Sequence, residues 1–199
     1  MRQMRVPSLA PSLPGRGNAV SRSIGRIALS LTGWGFEGEL PNLSRFVLIV
    51  APHTSNWDFP LGVAGIFALG ARVSFLGKHP LFKWPLGIPM RWLGGIPVDR
   101  SVRRDRVAES VDAFKENEKL ILVVAPEGTR RYVAEWKTGF YYVAHGAGVP
   151  IVPVAFDYEQ KVIRIGAPFT PTGNPNADIA TLKKFYSAVV ARKPENFQP

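Results

Sequence analysis

The residue types best suited to chemistry gather in two short segments. The first reads Pro52-His53-Thr54-Ser55-Asn56-Trp57-Asp58. A carboxylate set against one ring nitrogen of an imidazole fixes its tautomer and raises the basicity of the other nitrogen. His53 with Asp58 is therefore a candidate general base working near neutral pH. The chain has no cysteine, so a nucleophile of its own has to be a hydroxyl. Thr54 and Ser55 adjoin His53 too closely to be well placed for it, and no G-x-S-x-G elbow occurs. The hydroxyl of a bound substrate is the simpler target. A serine hydrolase built on Ser55, and a His53 that merely caps a helix or fills a polar niche, are the competing readings.

The second segment reads Pro126-Glu127-Gly128-Thr129-Arg130-Arg131. Gly128 permits close backbone approach to a ligand. Arg130 and Arg131 carry forked donors that match phosphate, and Glu127 is suited to hold an arginine or a substrate hydroxyl. The bland alternative is a solvated surface turn. Two further stretches stand out. Gly94-Gly95-Ile96-Pro97-Val98-Asp99-Arg100 leads into Arg103, Arg104 and Arg106, a contact for phosphate or for a carrier protein or simply a solvated helix start. Lys78 to Trp92 interleaves aromatic and apolar residues with Lys78, Lys83 and Arg91, as suits the head-group region of a bilayer.

The elements that must position these segments follow from hydrophobic periodicity. Phe46–Ala51, Leu120–Ala125 and Pro150–Phe156 are unbroken apolar runs of strand length, expected to be buried on both faces. Arg72–Leu76, Gly95–Val98 and an edge strand at Val162–Ile165 complete the strands. Helices are expected at Ser23–Leu31, at Trp57–Leu69 as a buried helix, at Leu81–Leu93 with an interruption by Pro85 and Pro89, and along Val107, Val111 and Phe114. Two more are expected from Thr138, as N-cap, to His145, and along Ile179, Leu182, Phe185 and Val189. Strands alternating with helices predict one α/β domain, a mixed, mostly parallel central sheet with helices on both faces. Ligands of such sheets sit at loops leaving the carboxyl ends of strands, where His53 and Glu127 both fall. The helix at Ser23–Leu31 is amphipathic. It either caps the core or lies on a bilayer.

The chain of 199 residues has the length of a single domain, and its 46% hydrophobic content excludes wholesale disorder. A formal charge of +10 attracts nucleic acid, anionic lipid or phosphorylated ligands. Nucleic acid is the poorest fit, because the aromatics sit mostly in apolar runs rather than on a basic face. Arg2, Arg5, Arg16, Arg22 and Arg26 precede the first acid, Glu37. Residues 1–22 are expected to be a basic, flexible tail ahead of a domain at 23–199. The longest uncharged apolar run, Phe59 to Ala71, is too short to span a membrane.

Taken in order, four blocks resemble the glycerolipid acyltransferase family, the lysophosphatidic acid (1-acylglycerol-3-phosphate) and glycerol-3-phosphate acyltransferases. They are His53 with Asp58, Gly94 to Arg100, Pro126 to Arg130, and the apolar Val149 to Val154. Each block is modest alone; the ordered set is specific and covers about half the chain. Pro52 and Ala125 depart from the Asn and Phe common before the first and third blocks. The resemblance implies a glycerol-3-phosphate acyltransferase-like fold and His53 as base on an acceptor hydroxyl with Asp58 as its partner. It implies an acceptor pocket lined by Arg100, Glu127, Gly128, Thr129, Arg130 and Lys137. It implies acyl-CoA or acyl carrier protein as donor, a lysolipid or glycerol-phosphate acceptor, and no metal or bound cofactor. A peripheral place on the cytoplasmic side of a membrane surface is expected. Another acceptor, or a non-catalytic lipid-binding role, are the alternatives.

Overall fold

The computed structural model describes residues 6–98 and 106–198. Among these residues seven strands form one sheet: β1 (Gly35–Glu37), β2 (Arg45–Val50), β3 (Ser74–Lys78), β4 (Gly95–Val98), β5 (Leu120–Val124), β6 (Ile151–Asp157) and β7 (Val162–Ile165). Their spatial order is β1-β7-β6-β2-β5-β3-β4. The five strands from β6 to β4 run parallel; β7 is antiparallel to β6, and β1 is parallel to β7. The mixed, mostly parallel sheet is the one expected.

The apolar runs became central strands because they supply two cores at once. In β2, Phe46 and Leu48 point to one core, and Val47 and Ile49 to the other. In β6, Val152, Val154 and Phe156 join the first core while Ile151 and Ala155 join the second. Helices α1 (Ala19–Thr32) and α2 (Asp58–Leu69) cover the first face. Helices α4 (Arg106–Glu116), α5 (Gly139–Ala147) and α6 (Pro175–Lys184) cover the second. The remaining helix, α3 (Gly87–Trp92), follows a 3₁₀ turn at His79–Phe82.

Several expectations are corrected. Val162–Ile165 is not an edge: the three-residue β1, too short to register as an apolar run, pairs outside it. Residues 6–18 are not a loose tail. Leu13 is buried in the first core, the Arg16 N–H donates to Gly70 O, and the Arg72 N–H donates to Pro14 O. Asn18 and Ser21 form a reciprocal capping box that starts α1 upstream of Ser23. The Leu81–Leu93 stretch is split, with Pro85 in the gap and Pro89 in the first turn of α3, where its missing N–H costs nothing. Thr138 stands at the N-cap of α5 but its side chain makes no capping bond. The last helix ends at Lys184, and Phe185 and Val189 lie in the turns beyond it.

Helix α2 is not fully buried. It crosses α1 so closely that a Cβ on Gly25 would come within 2.3 Å of the Ala68 backbone nitrogen. Beside this crossing α1, α2 and Leu93 line an open apolar groove of about 320 Å³. Among the described residues no helix is long and apolar enough to cross a membrane.

Candidate functional site

Strand register brings three loops together. In the parallel pairing of β2 with β5, Ile49 lies opposite Val124; in that of β2 with β6, Val50 lies opposite Val154. Running a few residues past these pairs places His53, Glu127 and Tyr158 at one level of the sheet's carboxyl edge, where an α/β sheet holds its ligands.

His53 Nδ1 lies 3.2 Å from Asp58 Oδ2. The imidazole side chain is 22% exposed and the carboxylate 1%. Asp58 opens α2 and reaches back over its own turn, where Oδ2 accepts the Ser55 N–H at 2.8 Å. Its other oxygen, Oδ1, accepts the Tyr158 hydroxyl at 2.7 Å. With Nδ1 turned to the carboxylate, Nε2 is the nitrogen left to meet a substrate proton. Ser55 is buried, and its Oγ accepts the Trp57 N–H at 3.2 Å. It serves the turn, which argues against Ser55 as a nucleophile.

Glu127 is 3% exposed, and among the described residues it pairs with no arginine. Its Oε2 accepts the His53 backbone N–H at 2.7 Å and so ties the β5 loop to the β2 loop. Its Oε1 has no partner among the described residues. Burial pushes the Glu127 carboxyl up to about 7; the His53 N–H opposes that rise and the Asp58 charge adds to it. A folded pKa above the unfolded one means that Glu127's contribution to stability is complete below about pH 4.5 and is lost as pH rises through about 7. Glu127→Gln cannot ionise. Its stability relative to the parent is expected to improve by on the order of 2 kcal/mol between pH 5 and pH 8, read from urea unfolding at both. Parallel pH curves for the two proteins would refute this.

Gly128 adopts a left-handed conformation (φ +65°), and the Lys137 side chain lies across it: a Cβ there would meet Lys137 Cε and Nζ at 3.0 Å. The Lys137 N–H donates to Pro126 O at 2.9 Å. Lys137 is thereby joined to the loop of Glu127, Gly128 and Thr129 despite its distance along the chain. Arg130 is exposed on the same loop. The Thr129 Oγ1 accepts the Arg131 N–H at 3.4 Å, a weak turn contact. Arg100, with Asp99, Arg103 and Arg104, lies outside the described residues. Sequence reasoning missed Tyr158 altogether. The only signal for it was the register of the buried runs, which puts the residue after β6 beside the one after β2.

The groove between α1 and α2 is lined by Ile24, Ala28, Phe59, Val63, Phe67 and Leu93, among others. It starts at Phe59, next to Asp58, and follows α2 for about 12 Å at 1.5 Å per residue. Helix α1, together with Leu93, supplies the wall that faces α2.

The acyltransferase family model matches residues 37–157, a span that holds His53, Asp58, Glu127, Gly128 and Lys137 and stops just before Tyr158. The 1-acyl-sn-glycerol-3-phosphate acyltransferase of Escherichia coli K12 is 32% identical over 125 residues, 59% of this chain and 49% of that protein. Its counterpart in Haemophilus influenzae is 29% identical over 163 residues, 76% of this chain and 65% of that protein. The yeast (Saccharomyces cerevisiae) counterpart is 34% identical over 126 residues, 58% of this chain and 40% of that protein. The chain thus spans from two fifths to two thirds of these relatives' lengths. The crystal structure of the 1-acyl-sn-glycerophosphate acyltransferase PlsC from Thermotoga maritima has the same fold, with a TM-score of 0.60 at 22% identity over 86% of this chain and 80% of that one.

Proposed function

The chain belongs to the acyltransferase family, and from that premise we propose that it moves a fatty acyl group from a thioester, acyl-CoA or acyl-acyl carrier protein, to a hydroxyl of a lysophospholipid-like acceptor. The leading acceptor is 1-acylglycerol 3-phosphate, which the names of its relatives carry. The observation that supports this most is the His53–Asp58 pair at the carboxyl edge of the sheet, with the apolar groove opening at Phe59 on one side and the Gly128–Lys137 contact on the other.

In this mechanism His53 Nε2 takes the proton of the acceptor hydroxyl, and the oxygen attacks the thioester carbonyl. Asp58 stabilises the imidazolium that forms. The tetrahedral intermediate collapses to the ester and expels the thiolate, which takes the proton back from His53. No acyl-enzyme is required. The acyl chain lies in the α1–α2 groove. Arg130, Lys137 and Arg100 attract the acceptor's phosphate, and the Gly128 and Thr129 backbone lets it approach. The test is an assay of each donor against a panel of lysolipids and glycerol 3-phosphate, with the ester followed by mass. No ester from any pair in the presence of vesicles would overturn the reading and leave a non-catalytic lipid-binding role.

A bilayer is the proposed setting. Val20, Ile24, Ile27 and Leu31 of α1 are exposed, as are Trp84, Ile88 and Trp92 around α3. The Arg16 guanidinium, 4.0 Å above the Trp92 ring, joins the two patches, and Arg22, Arg26, Lys83 and Arg91 flank them. Apolar side chains rimmed by cations suit an anionic membrane surface. Leu31 and Trp84, more than four-fifths exposed, can be changed without loss of core. Leu31→Asp with Trp84→Asp is expected to weaken co-sedimentation with phosphatidylglycerol vesicles about tenfold or more, each buried side chain being worth about 1.5–3 kcal/mol. Unchanged vesicle binding would remove this surface from the account.

A further inference from the structure

The His53–Asp58 pair is held by a third element that the family match does not reach. Asp58 is 2% exposed, so each of its oxygens needs a partner. Oδ2 takes the Ser55 N–H and faces His53. Oδ1 takes the Tyr158 hydroxyl. Without that second anchor the carboxylate is free to turn about its last bond, and the face it presents to His53 is no longer fixed.

Tyr158 is itself clamped. Its backbone N–H donates to Val190 O at 2.9 Å, and its ring meets Trp34 edge-on at 4.9 Å. The Arg192 guanidinium lies 5.6 Å from the Tyr158 ring and 5.3 Å from that of Trp57, the residue before Asp58. The Lys193 N–H donates to Thr54 Oγ1 at 3.2 Å. The segment from Val190 to Lys193 thus grips Tyr158 and the His53 loop together. Burial and the Asp58 hydrogen bond hold the Tyr158 phenol protonated, well above its ordinary range, while Arg192 pulls the other way. It stays a donor across the working pH range.

We propose that Tyr158 is a positioning residue for the His53–Asp58 pair, kept in place by the Val190–Lys193 segment. The proposal rests on the reading of His53 as the general base. Tyr158 touches no reacting atom and acts through Asp58.

Tyr158→Phe keeps the ring, its contact with Trp34 and the bond to Val190, and deletes only the hydroxyl. With acyl donor and lysolipid, kcat is expected to fall about tenfold and the acceptor KM to change less than about twofold. The second readout needs no substrate. The chain has three histidines, so ¹⁵N-histidine NMR resolves them, and His53→Ala identifies the His53 ring. Its hydrogen-bonded Nδ1–H signal is expected to be sharp and far downfield in the parent and to broaden and move upfield in Tyr158→Phe. Arg192→Ala is expected to shift it in the same direction by less. An unchanged His53 signal in Tyr158→Phe would overturn the proposal, as would a loss of activity confined to KM. If no acyl transfer is found with any acceptor, the proposed function fails, and the NMR comparison still decides whether Tyr158 orders the pair.

Discussion

Replacing His53 with alanine is expected to lower kcat about a thousandfold while the protein stays folded. A positioned general base contributes roughly 10²–10⁴ in rate, and the other two imidazoles are placed elsewhere: His79 follows β3, two strands away from β2, and opens the 3₁₀ turn, and His145 lies in the last turn of α5. Two features separate this loss from a loss of structure. The imidazole is 22% exposed and belongs to neither core, so the space it leaves opens to solvent. The bond that His53 gives to Glu127 comes from the backbone and survives the substitution. Unfolding in urea is therefore expected to stay within about 2 kcal/mol of the parent, the range of an ordinary single substitution. The measurement is ester formation by mass, beside a denaturation curve. Activity above about a tenth of the parent's would exclude His53 as the base. It would reopen the lipid-binding reading, in which a histidine at this place is incidental.

The sequence carried the sheet because its central strands face two cores. A run such as Phe46 to Ala51 has no polar side to lose, so a buried strand was the economical reading and the structure has it as β2. It carried His53 and Asp58 for a local reason: both sit within one strand–loop–helix turn, where spacing alone fixes their approach. What was illegible depends on contacts distant in sequence. Leu13 is a core residue only because α1 brings the chain back over the sheet, and its surroundings of Pro, Ser and Arg read as a tail. Tyr158 meets Asp58 across 100 positions. Glu127 reads by its charge as a holder of an arginine or a substrate hydroxyl, and its bond to the His53 backbone N–H depends on a contact 74 positions away. The mean hydropathy of α2 could not separate a helix inside a core from one with a face left open, because both are equally apolar. What decides between them is the packing of α1, which meets α2 at Gly25 and leaves an open groove beside that contact.

Asp58→Asn is expected to cost about 10²–10³ in kcat and about 1–3 kcal/mol in stability. The parent carboxylate accepts from three donors: the Ser55 N–H, the Tyr158 hydroxyl and the His53 ring. Asparagine has the same shape but only one accepting oxygen, and its NH₂ must replace the other. If the NH₂ faces Ser55 and His53, the ring turns its own acceptor toward it and Nε2 becomes the protonated nitrogen, so the base is lost. If it faces Tyr158, the phenol can rotate to accept, and His53 keeps its tautomer, but the negative charge that steadies the imidazolium is gone. Both arrangements are slow, and both uncouple Tyr158 from the rate. Tyr158→Phe should therefore cost about tenfold in the parent and close to nothing in Asp58→Asn, a coupling of about 1.4 kcal/mol in the double-mutant cycle. Kinetics of the four proteins with one donor and one acceptor measure it. Additive losses would mean that Tyr158 reaches the reaction by some route other than Asp58.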